Sequence, residues 1–130
     1  AFQSAGAGLF STAVDYARLG AALSADKPKL LSRHAIEYMR ENGLSDAQKA
    51  TFNWESVLGY TYGNLVRTVE NRNIAGTLAS KGAFGWDGWT GTYLLCDPDE
   101  QLSITLFLQR CGAGTSQLSR NVVNAVYASL

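Results

Sequence analysis

The chain has 130 residues, 46% hydrophobic and 17% charged, with 11 basic and 11 acidic side chains and a formal net charge of zero. That length suits one domain with one modest core, and the balanced charge gives no electrostatic reason to expect a nucleic-acid or membrane-surface partner. No apolar run is long enough to span a bilayer, and no repeat, low-complexity tract or heptad pattern is present.

The chain opens on Ala1-Phe2-Gln3 without an initiator methionine. It is therefore expected to be a processed or truncated piece, and its start does not indicate a compartment. Residues 1–10 are small and glycine-rich and read as a loop. Gly6-Ala7-Gly8 is not a phosphate loop, because no strand precedes it and no Gly-Lys-Ser/Thr follows. Thr12 and Asp15 form a capping pattern that predicts a helix to about Ser24, with Tyr16, Leu19 and Leu23 on one face. Asp26-Lys27-Pro28 breaks it. Ser32 caps a second predicted helix over 33–41, with Ile36 and Met39 turned inward and Gly43 as the stop. Ser45-Asp46-Ala47-Gln48 is a capping box for one more helical turn.

Residues 54–59 are irregular, and 60–69 read as a strand on their aromatic and β-branched content. A polar turn at 70–73 is followed by 74–80, which reads as loop or short strand. Residues 91–96 and 101–109 form a predicted hairpin around Asp97-Pro98-Asp99-Glu100. Thr115-Ser116 caps a last helix, in which Leu118, Val122, Val126 and Leu130 recur every fourth residue and need the sheet as a packing surface. The expected class is α+β, as one domain over 1–130: a mainly helical part at 1–58, then an antiparallel sheet with a covering helix at 59–130. The pattern covers one sheet face and leaves an edge open, which invites pairing either with a missing N-terminal part or with a second copy.

In this register Cys96 faces Gln101, and Cys111 lies roughly 33 Å further along the strand. A disulfide needs Cα atoms about 6 Å apart, so two free thiols are expected. Cys96 reads as a small core residue. Cys111 falls opposite Trp86 and so near the stretch that carries the most chemistry.

That stretch is Lys81-Gly82-Ala83-Phe84-Gly85-Trp86-Asp87-Gly88-Trp89-Thr90-Gly91-Thr92-Tyr93. Glycines that permit close backbone approach share it with large rings that could wall a pocket. It reads either as a bent, glycine-punctuated edge strand or as one wall of an active site. His34, the one histidine, reads as solvated in the first turn of a helix. Asp97, Asp99 and Glu100 fit a turn rather than a metal site, and no His/Cys cluster has metal-ligand spacing. No cofactor is implied. Trp54, Trp86, Trp89, Tyr60 and Tyr93 offer a second reading, a carbohydrate-stacking platform on a non-catalytic binding or interaction module.

Gly8-Leu9-Phe10-Ser11-Thr12-Ala13-Val14-Asp15-Tyr16-Ala17-Arg18 resembles the GLFSTAxDYAR segment of serine β-lactamase-like hydrolases, a group that includes class C β-lactamases, DD-peptidases and family VIII esterases. Leu30-Leu31-Ser32 with its helix, Gly59-Tyr60-Thr61-Tyr62-Gly63, and Gly85-Trp86-Asp87-Gly88-Trp89-Thr90-Gly91-Thr92 with Asp97-Pro98 resemble the following segments of that group in order. The resemblance implies an acyl-enzyme mechanism with three motifs, of which this chain matches the third as Trp86-Asp87-Gly88. It implies that Trp86, Asp87 and Gly88 line the substrate cleft and that the backbone N–H of Trp89 donates to the oxyanion. The substrate it implies is a small ester or amide. Trp86 resembles the esterase branch, and an acid at Asp87 would repel an anionic substrate. Ser24-Ala25-Asp26-Lys27 has the Ser-x-x-Lys spacing, but it ends a helix on what reads as an exposed turn, where a lysine stays charged and solvated. Tyr62-Gly63-Asn64 matches Tyr-x-Asn only at the wrong point in the order. The nucleophile and its base are therefore expected upstream of Ala1, and the chain alone is expected to be inactive.

Overall fold

The computed structural model describes residues 8–27, 30–114 and 116–130. The readings made for residues 1–7, for Pro28 and for Thr115 lie outside the described residues. Helix α1 (Ala13–Ser24) starts where the capping pattern places it: Thr12 Oγ1 accepts from the Asp15 N–H at 3.1 Å. Ser32 caps α2 (Arg33–Arg40) in the same way through the Ala35 N–H, and Ser45 and Gln48 complete a two-way capping box on α3 (Asp46–Thr51). Each cap satisfies backbone donors that the first helical turn leaves unpaired.

Among the described residues five antiparallel strands form one sheet in sequence order: β1 (Tyr60–Tyr62), β2 (Arg67–Val69), β3 (Phe84–Asp87), β4 (Tyr93–Asp97) and β5 (Leu102–Leu106). The single strand expected over 60–69 is thus two strands and a turn. Gly63 and Asn64 open that turn, the Gly63 N–H donates to the Val66 carbonyl at 2.8 Å, and Leu65 takes a left-handed φ of 68°. The polar turn at 70–73 becomes a cap, Asn71 Oδ1 accepting from Asn73 and Ile74, for the short helix α4 (Arg72–Ala75).

Helix α5 (Gln117–Tyr127) closes the chain. Val123, with Val122, Val126 and Tyr127, packs on Tyr60, Val69, Tyr93, Leu95 and Ile104 of the sheet. Leu118 and Leu130, two members of the predicted stripe, are exposed. A strict four-residue spacing drifts around a helix of 3.6 residues per turn, and the packed face follows the mixed three- and four-residue steps instead.

The opposite sheet face is covered too. Leu23 of α1 and Ile36 of α2 pack with Val66, Phe84, Leu94 and Cys96, joined by Tyr16 and Met39. The one-sided sheet expected from the sequence is therefore a sheet between two helical layers. Helix α1 reaches it through Gly20 rather than Leu19: a Cβ at Gly20 would lie 2.9 Å from the Ser103 Cβ, and Leu19 is exposed. Strand β5 has one neighbour among the described residues, β4.

The β4–β5 hairpin runs two residues out of the predicted register, pairing Asp97 with Leu102 and Cys96 with Ser103. Asp97 belongs to the strand, and its buried carboxylate organises the turn. Oδ1 accepts from the backbone of Asp99 and Glu100, and Oδ2 accepts from the Ser80 N–H and, at 2.6 Å, from the Tyr127 hydroxyl. The acids here serve a turn, as expected, and among the described residues no group of three or more His, Cys, Asp or Glu side chains could hold a metal. Both cysteines are free, Cys96 buried and Cys111 exposed.

Candidate active site

The open stretch of sheet lies at the end of β3. Strand β2 pairs with β3 only at Arg67 with Gly85 and Thr68 with Phe84, whereas β4 accompanies β3 as far as Asp87 with Tyr93. From Trp86 onward, β3 therefore has a strand on one side only. The cause is the 63–66 turn, which is drawn onto α2: the Asn64 N–H donates to the Met39 carbonyl at 2.9 Å and its side-chain amide donates to the Tyr38 carbonyl at 3.0 Å.

Glycine is required at some of these positions and not at others. A Cβ at Gly85 would sit 1.9 Å from the Leu94 carbonyl oxygen, so that glycine permits strand contact. At Gly88 the nearest atom to such a Cβ is 3.6 Å away, and its φ is not in the left-handed region. Packing therefore does not demand a glycine there.

Beyond β3 the chain makes a tight turn over 88–91. The Gly88 N–H donates to the Thr92 carbonyl at 2.6 Å and the Gly91 N–H donates to the Gly88 carbonyl at 2.9 Å. The turn is fixed to the loop after β5, where the Gly112 N–H reaches the Trp89 carbonyl at 2.7 Å and the Arg110 N–H reaches the Thr90 carbonyl at 2.9 Å. Cys111 thus sits beside Trp89 and Thr90, not opposite Trp86. Carbonyl and N–H of a trans peptide point in opposite directions. With the Gly88 carbonyl aimed at Gly91, the Trp89 N–H is aimed out of the turn. Among the described residues no backbone carbonyl accepts from it.

Rings frame this edge. Trp86, 47% exposed, meets Tyr62 edge-on at 5.5 Å between centroids, and the Trp89 side chain is 76% exposed. Beneath them is a charge pair that sequence reasoning missed. Arg67, only 5% exposed, bonds Asp87 at 2.8 Å. Its guanidinium lies 4.7 Å from the Tyr60 ring centre and 5.9 Å from that of Trp86. Burial pushes the Tyr60 and Tyr93 phenols above their ordinary values, and Arg67 pulls both part of the way back. Asp87 also lies against Gly114, where a Cβ would come within 2.2 Å of Oδ2. A signal for Arg67 was present: a charge in the run Val66-Arg67-Thr68-Val69, buried throughout, needs a partner.

Three expectations change. Asp87 does not present a free negative charge, because Arg67 neutralises it, so it does not act by repelling anions. Tyr60 and Tyr93 are buried around Arg67 and Trp54 stacks edge-on against Phe52, so the five rings do not form one exposed platform. Ser24 is not on an exposed turn: it is 1% exposed at the end of α1, while Lys27 is exposed. His34 is solvated, as expected. A separate cleft of about 540 Å³, lined by Arg40, Asn42, Thr61, Thr68 and Lys81 among others, lies at the other end of the β2–β3 pair.

The sequence model of the β-lactamase family matches residues 1–128. The chain belongs to the β-lactamase family. Two curated relatives in this comparison come from Mycobacterium tuberculosis: protein Rv1367c of strain H37Rv and uncharacterized protein MT1414 of strain CDC 1551. Each is 31% identical over an alignment of 120 residues that covers 85% of this chain and 30% of the relative. Among solved structures, EstCE1, described as a hydrolase with promiscuous acyltransferase activity, superposes with a TM-score of 0.76 at 21% identity, over 94% of this chain and 31% of that one. A mutant of the simvastatin synthase LovD from Aspergillus terreus superposes with a TM-score of 0.71 at 19% identity, over 94% of this chain and 34% of that one. The fold is the α+β fold of these β-lactamase-like enzymes. This β-lactamase-family chain spans about a third of the length of the relatives it matches.

Proposed function

We propose that this chain supplies the third-motif wall of an acyl-transferring serine hydrolase acting on neutral esters. The observation that carries the reading is the one-sided end of β3, where the Trp89 N–H is aimed out of a fixed turn beside a glycine that packing does not require. A donor fixed before the reaction stabilises the oxyanion without reorganising as charge develops, and a residue without a side chain at Gly88 lets a substrate approach the strand closely. Trp86, Asp87 and Gly88 form the strand that lines the cleft, and Trp86 with Tyr62 gives it an aromatic rim. The reading favours a neutral ester over a penicillin-like anion because Arg67, the cation beneath the wall, is buried and committed to Asp87.

The serine nucleophile and its base belong to sequence outside these 130 residues. Two observations support this: the chain spans a third of its relatives, and Ser24 is packed in the core while Lys27 is solvated. The same sequence, or a second copy, would pair with the free side of β5.

The test is turnover of p-nitrophenyl butyrate and a chromogenic cephalosporin. It is run on the 130-residue chain, on its Ser24→Ala variant, and on the protein translated from the complete reading frame. The expected outcome is ester turnover by the complete protein, slower cephalosporin turnover, and none by the 130-residue chain. Absence of ester turnover by the complete protein would sink the reading. Turnover by the short chain that Ser24→Ala abolishes would move the nucleophile into α1.

A further inference from the structure

Asp87 belongs to the cleft-lining motif, and its partner Arg67 sits on β2, the strand that ends at the open edge. Side chains alternate along a strand. Phe84 faces α1 and α2, so Asp87 faces the other side, with Tyr60, Arg67 and Tyr93. Connections of the Asp87 carboxylate tie the motif to its surroundings. One runs to Arg67 on β2, which pairs with β3 at Gly85, the last β2 contact before the open edge. Another runs through Gly114 into the loop whose Gly112 and Arg110 amides hold the carbonyls of Trp89 and Thr90. The turn that aims the Trp89 N–H is thus anchored at its base by Asp87 and at its side by a loop resting on the same carboxylate.

We propose that Arg67 and Asp87 are positioning residues that set the direction of the Trp89 N–H. The inference rests on the acyl-transfer reading of the site. A guanidinium suits the task because its planar fork bonds Asp87 while its flat face lies on the Tyr60 ring. The lysine ammonium is a point charge with neither the fork nor the flat face. Asparagine at Asp87 keeps the shape but leaves Arg67 buried without its counter-charge. A displacement of about 1 Å at a reacting centre lowers rates by up to about a hundredfold.

The test compares Asp87→Asn, Arg67→Lys and Arg67→Met in the complete protein. Steady-state kinetics on p-nitrophenyl butyrate are read beside amide hydrogen exchange across residues 86–92. The expected result for Asp87→Asn is kcat lowered at least tenfold with KM within about twofold, and faster exchange in that segment. Arg67→Lys is expected to retain more activity than Arg67→Met, a graded rescue that a merely structural role would not produce. If Asp87→Asn does not fold, the lysine and methionine variants carry the same comparison. Folded variants with kcat within twofold of the parent and unchanged exchange would overturn the proposal. If the parent itself turns over no ester, the acyl-transfer reading fails, and the exchange of residues 86–92 still decides whether the pair holds the turn.

Discussion

The two cysteines occupy opposite environments. Cys96 is fully buried between the sheet and α1, its Sγ facing the Gly20 carbonyl at 3.8 Å, and burial pushes its thiol up to about 12. Cys111 is exposed beside the Trp89 turn. Because the thiolate is the reactive form, a thiol reagent at pH 8 is expected to modify one cysteine of the native chain quickly, and peptide mapping should identify it as Cys111. Cys96 should react only once denaturant is added. Equal reaction of both thiols without denaturant would mean that α1 does not stay on the sheet. Spacing alone was enough to read the two thiols as free, because a register error of two residues still leaves them far apart. Arg67 and Asp87 were not paired from the sequence, because they lie twenty positions apart on neighbouring strands and meet only once the short β2–β3 register is known.

Helix starts were legible because a cap is a local device: Thr12, Ser32 and Ser45 each act within three residues of themselves. Strand boundaries were less so. Gly63-Asn64 is a turn signal inside a β-rich run, and the run outweighed it. Glycines within one element separate in the same way, because sequence does not distinguish a glycine required by packing from one that packing leaves free. Alanine at Gly85 would drive its Cβ into the backbone of Leu94 and Leu95, atoms that cannot swing aside. Overpacking of this kind costs about 1–3 kcal/mol or more, so Gly85→Ala should lower the urea midpoint sharply. Alanine at Gly88 meets only ordinary contacts, and its effect on stability should stay within about 0.5 kcal/mol. In the complete protein, Gly88→Ala should nonetheless slow ester turnover at least tenfold. Full activity in that variant would mean that substrate does not approach the strand at Gly88.

The broad order, helices, then an antiparallel sheet, then a covering helix, was readable along the chain, but the split of 60–69, helix α4 and the coverage of both sheet faces were not. Helix α1 docks through Gly20 and Ser24 as well as Leu23, and two small residues leave little hydrophobic signal. The resulting sandwich buries groups whose ionisation is linked to folding. Burial is the leading cause that raises the phenols of Tyr16, Tyr60, Tyr93 and Tyr127 and the thiol of Cys96 above their ordinary values. Below about pH 7.5 these groups are protonated in both folded and unfolded chains and contribute almost no pH dependence. From about pH 7.5 for the thiol, and about pH 9 for the phenols, the unfolded chain begins to release protons that the folded chain keeps. The unfolded state then binds fewer protons, and stability must fall as pH rises. The urea midpoint should therefore hold up to about pH 7.5, begin to decline from about pH 8 through Cys96 and steepen above about pH 9 as the phenols join. Tyr127→Phe provides the control. It removes the hydroxyl that donates to Asp97, at a cost of about 1–2 kcal/mol near neutral pH, yet it should flatten the alkaline decline by removing one of the linked groups. An equally steep decline in that variant would show that Tyr127 ionises alike in both states, which its bond to a buried carboxylate argues against.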